Sequence, residues 1–180
     1  MPHLRESSYL LRLFVDDDAP SFVDAVLKSQ ATVGRWMPWA HSAYAESDAL
    51  AWFERTSRAR QDGSAHEFGI FLASTEKLVG GAGLNQPNKV HNFCNLGYWV
   101  AQSAQRRGAA SAAVRALAQY AFTTLGFTRV EIVVASDNTA SAGVALKVGA
   151  KFECRARNRL VVFGKPTEAC VYSLVPAAEA

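Results

Sequence analysis

The stretch Gln105-Arg106-Arg107-Gly108-Ala109-Ala110-Ser111 decides how this chain reads. It follows an apolar, strand-like run, Leu96-Gly97-Tyr98-Trp99-Val100-Ala101, and opens an alanine-rich segment of helical character. A strand, a tight turn of small residues with two arginines, and then a helix start make an anion site. The first N–H groups of a helix have no intrahelical acceptor, and the helix dipole favours negative charge there. Gly108 and Ala110 leave the backbone open to a phosphate, and Arg106 and Arg107 add charge-assisted contacts. The plainer reading of the same turn is a strand-to-helix connection with a solvated arginine pair.

Upstream of this turn, residues 9–15 read as a first strand. Asp16-Asp17-Asp18 before Ala19-Pro20 is a helix start, and Phe22, Val23, Val26 and Leu27 recur at helical spacing. A loop with Gly34 and Arg35-Trp36-Met37-Pro38-Trp39 leads to a second helix begun by Ser47-Asp48. That helix carries Leu50, Trp52, Phe53 and Thr56 on or near one face and ends by Gly63. Residues 67–72, 78–84 and 94–101 form an antiparallel meander broken at 74–77 and 85–88.

Downstream, the helix from 108 to 125 buries Ala110, Val114, Leu117, Ala121 and Leu125 and is capped by Gly126. Residues 129–135 are a strand with Val130, Ile132 and Val134 alternating. Asp137-Asn138 caps a short helix that Gly149 ends, and residues 151–163 and 168–175 form a hairpin across Gly164-Lys165-Pro166. A right-handed crossover makes the strands at 94–101 and 129–135 parallel, with their carboxyl ends on one edge, where open α/β sheets bind ligands. The Gly108 turn and the Asn138 cap are therefore expected close together. The fold class is α/β with an α+β-like mixed sheet, in one domain over residues 1–180, since no repeat or linker divides the chain.

At 180 residues, 49% hydrophobic and 19% charged, the chain has the composition of a soluble globular protein. No segment has the length of an apolar membrane span, and residues 1–6 lack a signal-peptide core, so a cytoplasmic location is expected. Cys94, Cys154 and Cys170 suggest neither a disulfide framework nor a zinc site, and His3, His41, His66 and His91 lack metal-ligand spacing. No metal is expected. A net charge of +3 suits a phosphate-bearing ligand but is too mild to argue nucleic acid. Gly81-Ala82-Gly83 lacks a third glycine and leads to Pro87, against a dinucleotide fold; Gly164-Lys165 is followed by Pro166, against a P-loop.

Gln105-x-x-Gly108-x-Ala110 resembles the acetyl-coenzyme A signature of the GCN5-related N-acetyltransferases (GNAT), and the element order matches that fold over almost the whole chain. Leu96-Gly97-Tyr98-Trp99, Asn138-Thr139-Ala140-Ser141 with Gly149-Ala150, and Arg35-Trp36-Met37-Pro38-Trp39 resemble the subgroup of ribosomal-protein N-terminal acetyltransferases (RimJ/RimL-type); Ala150 stands where an aromatic is usual. The resemblance implies a splayed strand pair with the pantetheine arm of acetyl-coenzyme A between its members, bonded to backbone around Trp99, Val100 and Ala101. The pyrophosphate would rest on the N–H groups of Arg106, Arg107, Gly108, Ala109, Ala110 and Ser111. The implied reaction moves an acetyl group from acetyl-coenzyme A to a primary amine, a protein N-terminus or a small molecule, by direct attack in a ternary complex. A homodimer is left open.

Asn138 is a candidate pantetheine contact, or simply a helix cap. Ser141 is a candidate donor to the departing thiolate, or an exposed first-turn serine. Family members often carry a glutamate on the strand before the signature; here Asn95 stands near that place and cannot accept a proton. Glu67 on an earlier strand is the substitute base, with a strand-edge carboxylate as its plainer reading. Proton loss to water with positioning alone is the further alternative, and the one favoured by Asn95. Trp36 and Trp39 are candidates to line the acceptor pocket, against a core-anchoring role. Arg155, Arg157 and Arg159 alternate and share one strand face in this reading. A non-catalytic acyl-coenzyme A binder and, behind it, an RNA-associated module using those arginines are the competing functions.

Overall fold

The structure, a computed structural model, describes residues 3–177. Its strands are β1 (Leu4–Glu6), β2 (Tyr9–Arg12), β3 (Ala65–Leu72), β4 (Leu78–Asn88), β5 (Phe93–Val100), β6 (Arg129–Ala135), β7 (Lys151–Val162) and β8 (Lys165–Leu174). They form one eight-stranded sheet in the order β1-β2-β3-β4-β5-β6-β8-β7. Every neighbouring pair is antiparallel except β5 and β6. The helices are α1 (Ala19–Leu27), α2 (Glu46–Asp62), α3 (Ala109–Thr123) and α4 (Thr139–Lys147). None is long and apolar enough to cross a membrane.

The two faces of the sheet bury different side chains because successive residues of a strand point to opposite sides. Leu11, Phe68, Ile70, Ala82, Leu84, Cys94 and Leu96 pack against α3, whose Ala109, Ala112, Ala113 and Ala116 are all buried. Small side chains let that helix lie close to the strands. On the other face, Leu10, Phe71 and Leu78 meet Phe22 and Val26 of α1 and Phe53 of α2. Phe14 stacks flat on Phe53 at 4.6 Å, and Phe22 meets Phe53 edge-on at 5.5 Å.

The parallel pair breaks open. It is registered only at Phe93–Arg129, Cys94–Val130 and Asn95–Glu131, although β5 runs on to Val100 and β6 to Ala135. Beyond that point each strand keeps its own antiparallel neighbour. β5 stays with β4 through Gly80–Val100, and β6 stays with β8 through Ala135–Ala169. A wedge opens in the middle of the sheet, lined by backbone groups that lack ladder partners.

Several local expectations change. The first strand stops at Arg12, because Asp18 accepts two hydrogen bonds from the Arg12 guanidinium (2.7 and 2.8 Å) and one from the Val15 N–H (2.9 Å), closing a turn. β1, only three residues long, carries no visible periodicity. Residues 85–88 are strand rather than a break; the register shift between Asn85 and Asn88 accommodates Pro87 in a bulge. The last hairpin turns on Phe163-Gly164, both at positive φ, so β8 begins at Lys165. Leu27 and Leu50 fit the helical period but are exposed. Helix α3 starts at Ala109 and ends at Thr123, before half-buried Leu125, and Gly126 supplies a left-handed residue beyond it. The pairing shift between Ala156 and Leu160, with Asn158 at φ 52°, interrupts the alternation of Arg157 and Arg159; Arg155 is held by Glu168.

Candidate active site

The turn between β5 and α3 offers backbone. Gly108 is the residue before the helix, at φ 90°, and a side chain built on it meets no atom within 4 Å. The left-handed conformation asks for glycine, and the space above it is open to a ligand. No side chain caps α3, so its first N–H groups stay free. Arg106 also adopts positive φ, at 61°. Gln105, Arg106 and Arg107 are exposed, whereas Ala109 and Ser111 are buried. Arginine charge and free N–H groups therefore coincide at one helix end.

Three contacts hold this turn that the sequence motifs do not announce. The Tyr9 hydroxyl on β2 donates to the Arg107 carbonyl at 2.8 Å. The Gln102 N–H donates to Oγ of buried Ser29, at 2.9 Å, tying the turn to the end of α1. Gln105 Nε2 donates to the Val100 carbonyl at 3.2 Å. Of the backbone groups implied for pantetheine, the Ala101 N–H is engaged away from the wedge, with the Val79 carbonyl at 2.9 Å.

Across the wedge, the Tyr98 hydroxyl reaches α4. It donates to the Ser141 carbonyl at 2.9 Å and lies 3.0 Å from Ser141 Oγ. Burial pushes the Tyr98 phenol up to about 12, so it stays neutral and able to donate at physiological pH. Asn138 Oδ1 accepts the Ser141 N–H at 3.1 Å and caps α4. Asn138, Ser141 and Tyr98 thus form one cluster beside the wedge, on the α3 and α4 side. Tyr98 was legible only as part of a strand; its alternation with Leu96 and its need for a polar partner were the available signals.

The opposite face carries Asn95, Gly97 and Trp99 of β5. Glu67, Gly83 and Gly97 stand level on β3, β4 and β5. The Glu67 carboxylate lies so close over Gly83 that a Cβ there would collide with it. A Cβ on Gly97 would meet nothing within 4 Å. A carboxylate thus lies over the strand next to an open place at the edge of the wedge, with strands spaced about 4.8 Å apart. β3 is an interior strand, so Glu67 is not a strand-edge carboxylate. Burial, opposed by a hydrogen bond from Asn85 and by Arg60, raises its pKa above the ordinary carboxylate value.

Beyond Gly97 lies Trp99, whose indole covers Gly81 with Nε1 2.6 Å from where a Cβ would sit. Trp39 packs edge-on to Trp99 at 5.6 Å and also meets Phe22 and Tyr44, yet keeps 37% of its surface exposed. Trp36 is half-buried, under the Arg35 guanidinium at 4.9 Å. The fold brings Trp39, rather than Trp36, into contact with Trp99. Among the described residues no group of His, Cys, Asp and Glu is arranged to hold a metal ion.

These features have close parallels. A family model described as an acetyltransferase (GNAT) domain matches residues 9–151. YdaF of Bacillus subtilis, provisionally named a ribosomal N-acetyltransferase, is 29% identical over 170 residues, covering 92% of this chain and 90% of that protein. A structure from Vibrio cholerae, provisionally titled a ribosomal-protein-serine acetyltransferase, superposes with a TM-score of 0.87 at 32% identity, covering 97% of this chain and 98% of that one. RimL, titled a ribosomal L7/L12 alpha-N-protein acetyltransferase in complex with coenzyme A, shares the fold with a TM-score of 0.87 at 20% identity, over 99% and 100% of the two chains. By its sequence, its splayed strand pair and its uncapped arginine turn, this chain belongs to the GNAT acetyltransferases, enzymes that draw their acetyl group from acetyl-coenzyme A.

Proposed function

We propose that this enzyme acetylates the N-terminal amine of a protein, with Glu67 as the base and the Tyr98–Ser141 pair as the donor to the leaving thiolate. The observation that carries the reading is the open place over Gly97, between a half-buried carboxylate and the Trp39–Trp99 pair, at the edge of the wedge. The names of the relatives support a protein acceptor. A cytoplasmic location accompanies it.

The residues divide the work. The free N–H groups at α3, with Arg106 and Arg107, hold the pyrophosphate of acetyl-coenzyme A, and the wedge takes the pantetheine arm. The Asn138 side chain, at the start of α4 beside the wedge, contacts that arm in this reading. The acceptor enters from the Trp39–Trp99 side as an ammonium. Glu67 takes one proton from it, which frees the nitrogen lone pair to form the C–N bond to the acetyl carbonyl carbon. As the C–S bond breaks, the electron pair leaves with sulfur, which receives a proton from the Tyr98–Ser141 hydroxyl pair, while the nitrogen sheds its second proton, which restores that pair through water and leaves a neutral amide. A carboxylate whose pKa is raised is a better proton acceptor than an ordinary one.

The test is free-thiol release from acetyl-coenzyme A with a panel of small amines and N-terminal peptides, with mass spectrometry locating the acetyl group. Acetylation confined to peptide α-amines is the expected result. Preference for small amines would replace the protein acceptor. Cofactor binding with no thiol release across the panel would make the chain an acyl-coenzyme A binder.

A further inference from the structure

Asn95, Asn85 and Glu67 form a hydrogen-bonded chain across three strands. Asn95 Nδ2 donates to Asn85 Oδ1 at 2.9 Å, and Asn85 Nδ2 donates to Glu67 Oε1 at 3.3 Å. Asn85 and Asn95 are register partners on β4 and β5, one row beyond Glu67, Gly83 and Gly97. An amide has one accepting and one donating end, whereas an ionised carboxylate only accepts. The chain therefore has a direction. While Asn95 donates to Asn85, the Asn85 amide must turn its own donor toward Glu67.

We propose that Asn95 and Asn85 are positioning residues, an amide relay that holds the Glu67 carboxylate ionised and over Gly83, beside the acceptor's place. The proposal rests on the reading of Glu67 as the base. It also accounts for an amide at position 95, where a carboxylate would reverse the relay. An aspartate at 95 accepts only, so it draws the Asn85 donor to itself and leaves Asn85 Oδ1 facing Glu67. Glu67 then bonds to Asn85 only as the protonated acid.

Of the other charged and titratable groups near Glu67, Arg60 adds its positive charge, which also favours the ionised form, but the hydrogen bond to the carboxylate comes from the Asn85 amide. Arg60 on α2 donates to the Glu67 backbone carbonyl at 3.1 Å rather than to its carboxylate. His66 faces the other side of the sheet, against Tyr120 at 5.8 Å. Glu131, level with Asn95 on β6, is held by Arg129 at 3.0 Å.

The experiment titrates the Glu67 side-chain carboxyl by carbon NMR in the folded protein, alongside turnover against pH. Variants are Asn95→Asp, Asn95→Ala, Asn85→Ala, and Asn95→Asp combined with Asn85→Ala. Asn95→Asp is expected to raise the Glu67 midpoint by about one unit or more, as loss of a donor and a nearby like charge do. Asn95→Ala leaves Asn85 free to keep its donor on Glu67 and is expected to shift it much less. With Asn85→Ala in the background, Asn95→Asp retains only its through-space charge, so its shift should shrink to less than half. An equal shift in both backgrounds, or none with Asn95→Asp, overturns the relay. Folding of each variant is read from the same spectra, and Asn85→Asp, which places a carboxylate directly against Glu67, replaces Asn95→Asp should that variant unfold. If Glu67→Gln leaves the rate profile unchanged while the NMR shifts appear, the base assignment fails and the relay stands.

Discussion

The Tyr98 hydroxyl lies 3.0 Å from Ser141 Oγ, so a strand on one side of the wedge and a helix on the other share a hydrogen bond where the sheet has none. If this pair supplies the leaving thiolate with its proton, Ser141→Ala should lower kcat about tenfold to a hundredfold, at or below the usual general-acid range, with little change in cofactor Kd. Tyr98→Phe should lower it by a similar factor, and the double variant by less than the product, because the two hydroxyls act together. Steady-state rates with calorimetry check this, and wild-type turnover in both single variants would dismiss the pair.

Gly108 combines φ 90° with open space above it. Gly108→Val should cost on the order of 1–3 kcal/mol of stability from the left-handed backbone alone. It should also weaken acetyl-coenzyme A binding by about tenfold or more, as about 1.4 kcal/mol of lost contact would. Thermal melts separate the two effects. Tyr9→Phe, which removes the 2.8 Å bond to the Arg107 carbonyl, should produce a smaller loss of affinity in the same direction. Unaltered affinity in folded Gly108→Val would move the phosphate site elsewhere.

Trp39 touches Trp99 yet remains partly exposed. Trp39→Ala should raise the acceptor KM by roughly threefold to tenfold, the scale of one aromatic contact, while the cofactor Kd holds. Trp39→Phe, which keeps a ring against Phe22, should fall between. Equal effects on both substrates would make Trp39 an anchor of its loop only.

Glu153 accepts from Arg129 through both oxygens, each at 2.6 Å, and from Ser173. Arg129 first, then Ser173, pulls its pKa down to about 2. A lowered pKa gives stability that is present above the unfolded carboxylate value and is lost as pH falls toward the folded one. The Tm gap between wild type and Glu153→Gln should be full above about pH 5 and close between there and pH 2. It should be small, because the Glu153 side chain is 39% exposed and the pair is screened by water. A gap that grows on acidification contradicts the sign.

The local elements and the turn that defines the family were legible in the chain itself. Gly108 after two arginines, the alanine face of α3, the Asn138 cap and the antiparallel meander depend on neighbours in sequence, whose spacing and conformational preferences are local. What lay outside that reach was set by residues brought together from far apart. The wedge opens at Asn95–Glu131 because β5 and β6 keep antiparallel partners that diverge, which no single strand records. Glu67 reads in sequence as an edge carboxylate and becomes an interior, half-buried one only when β3 is enclosed by β2 and β4 and glycines stand at 83 and 97. Asn95, seen alone, is an absent base; Asn85, ten residues away and across the strand, makes it the start of a chain that ends on Glu67. Local preference chose the elements, whereas burial and cross-strand register, properties of the assembled sheet, decided which polar groups face one another.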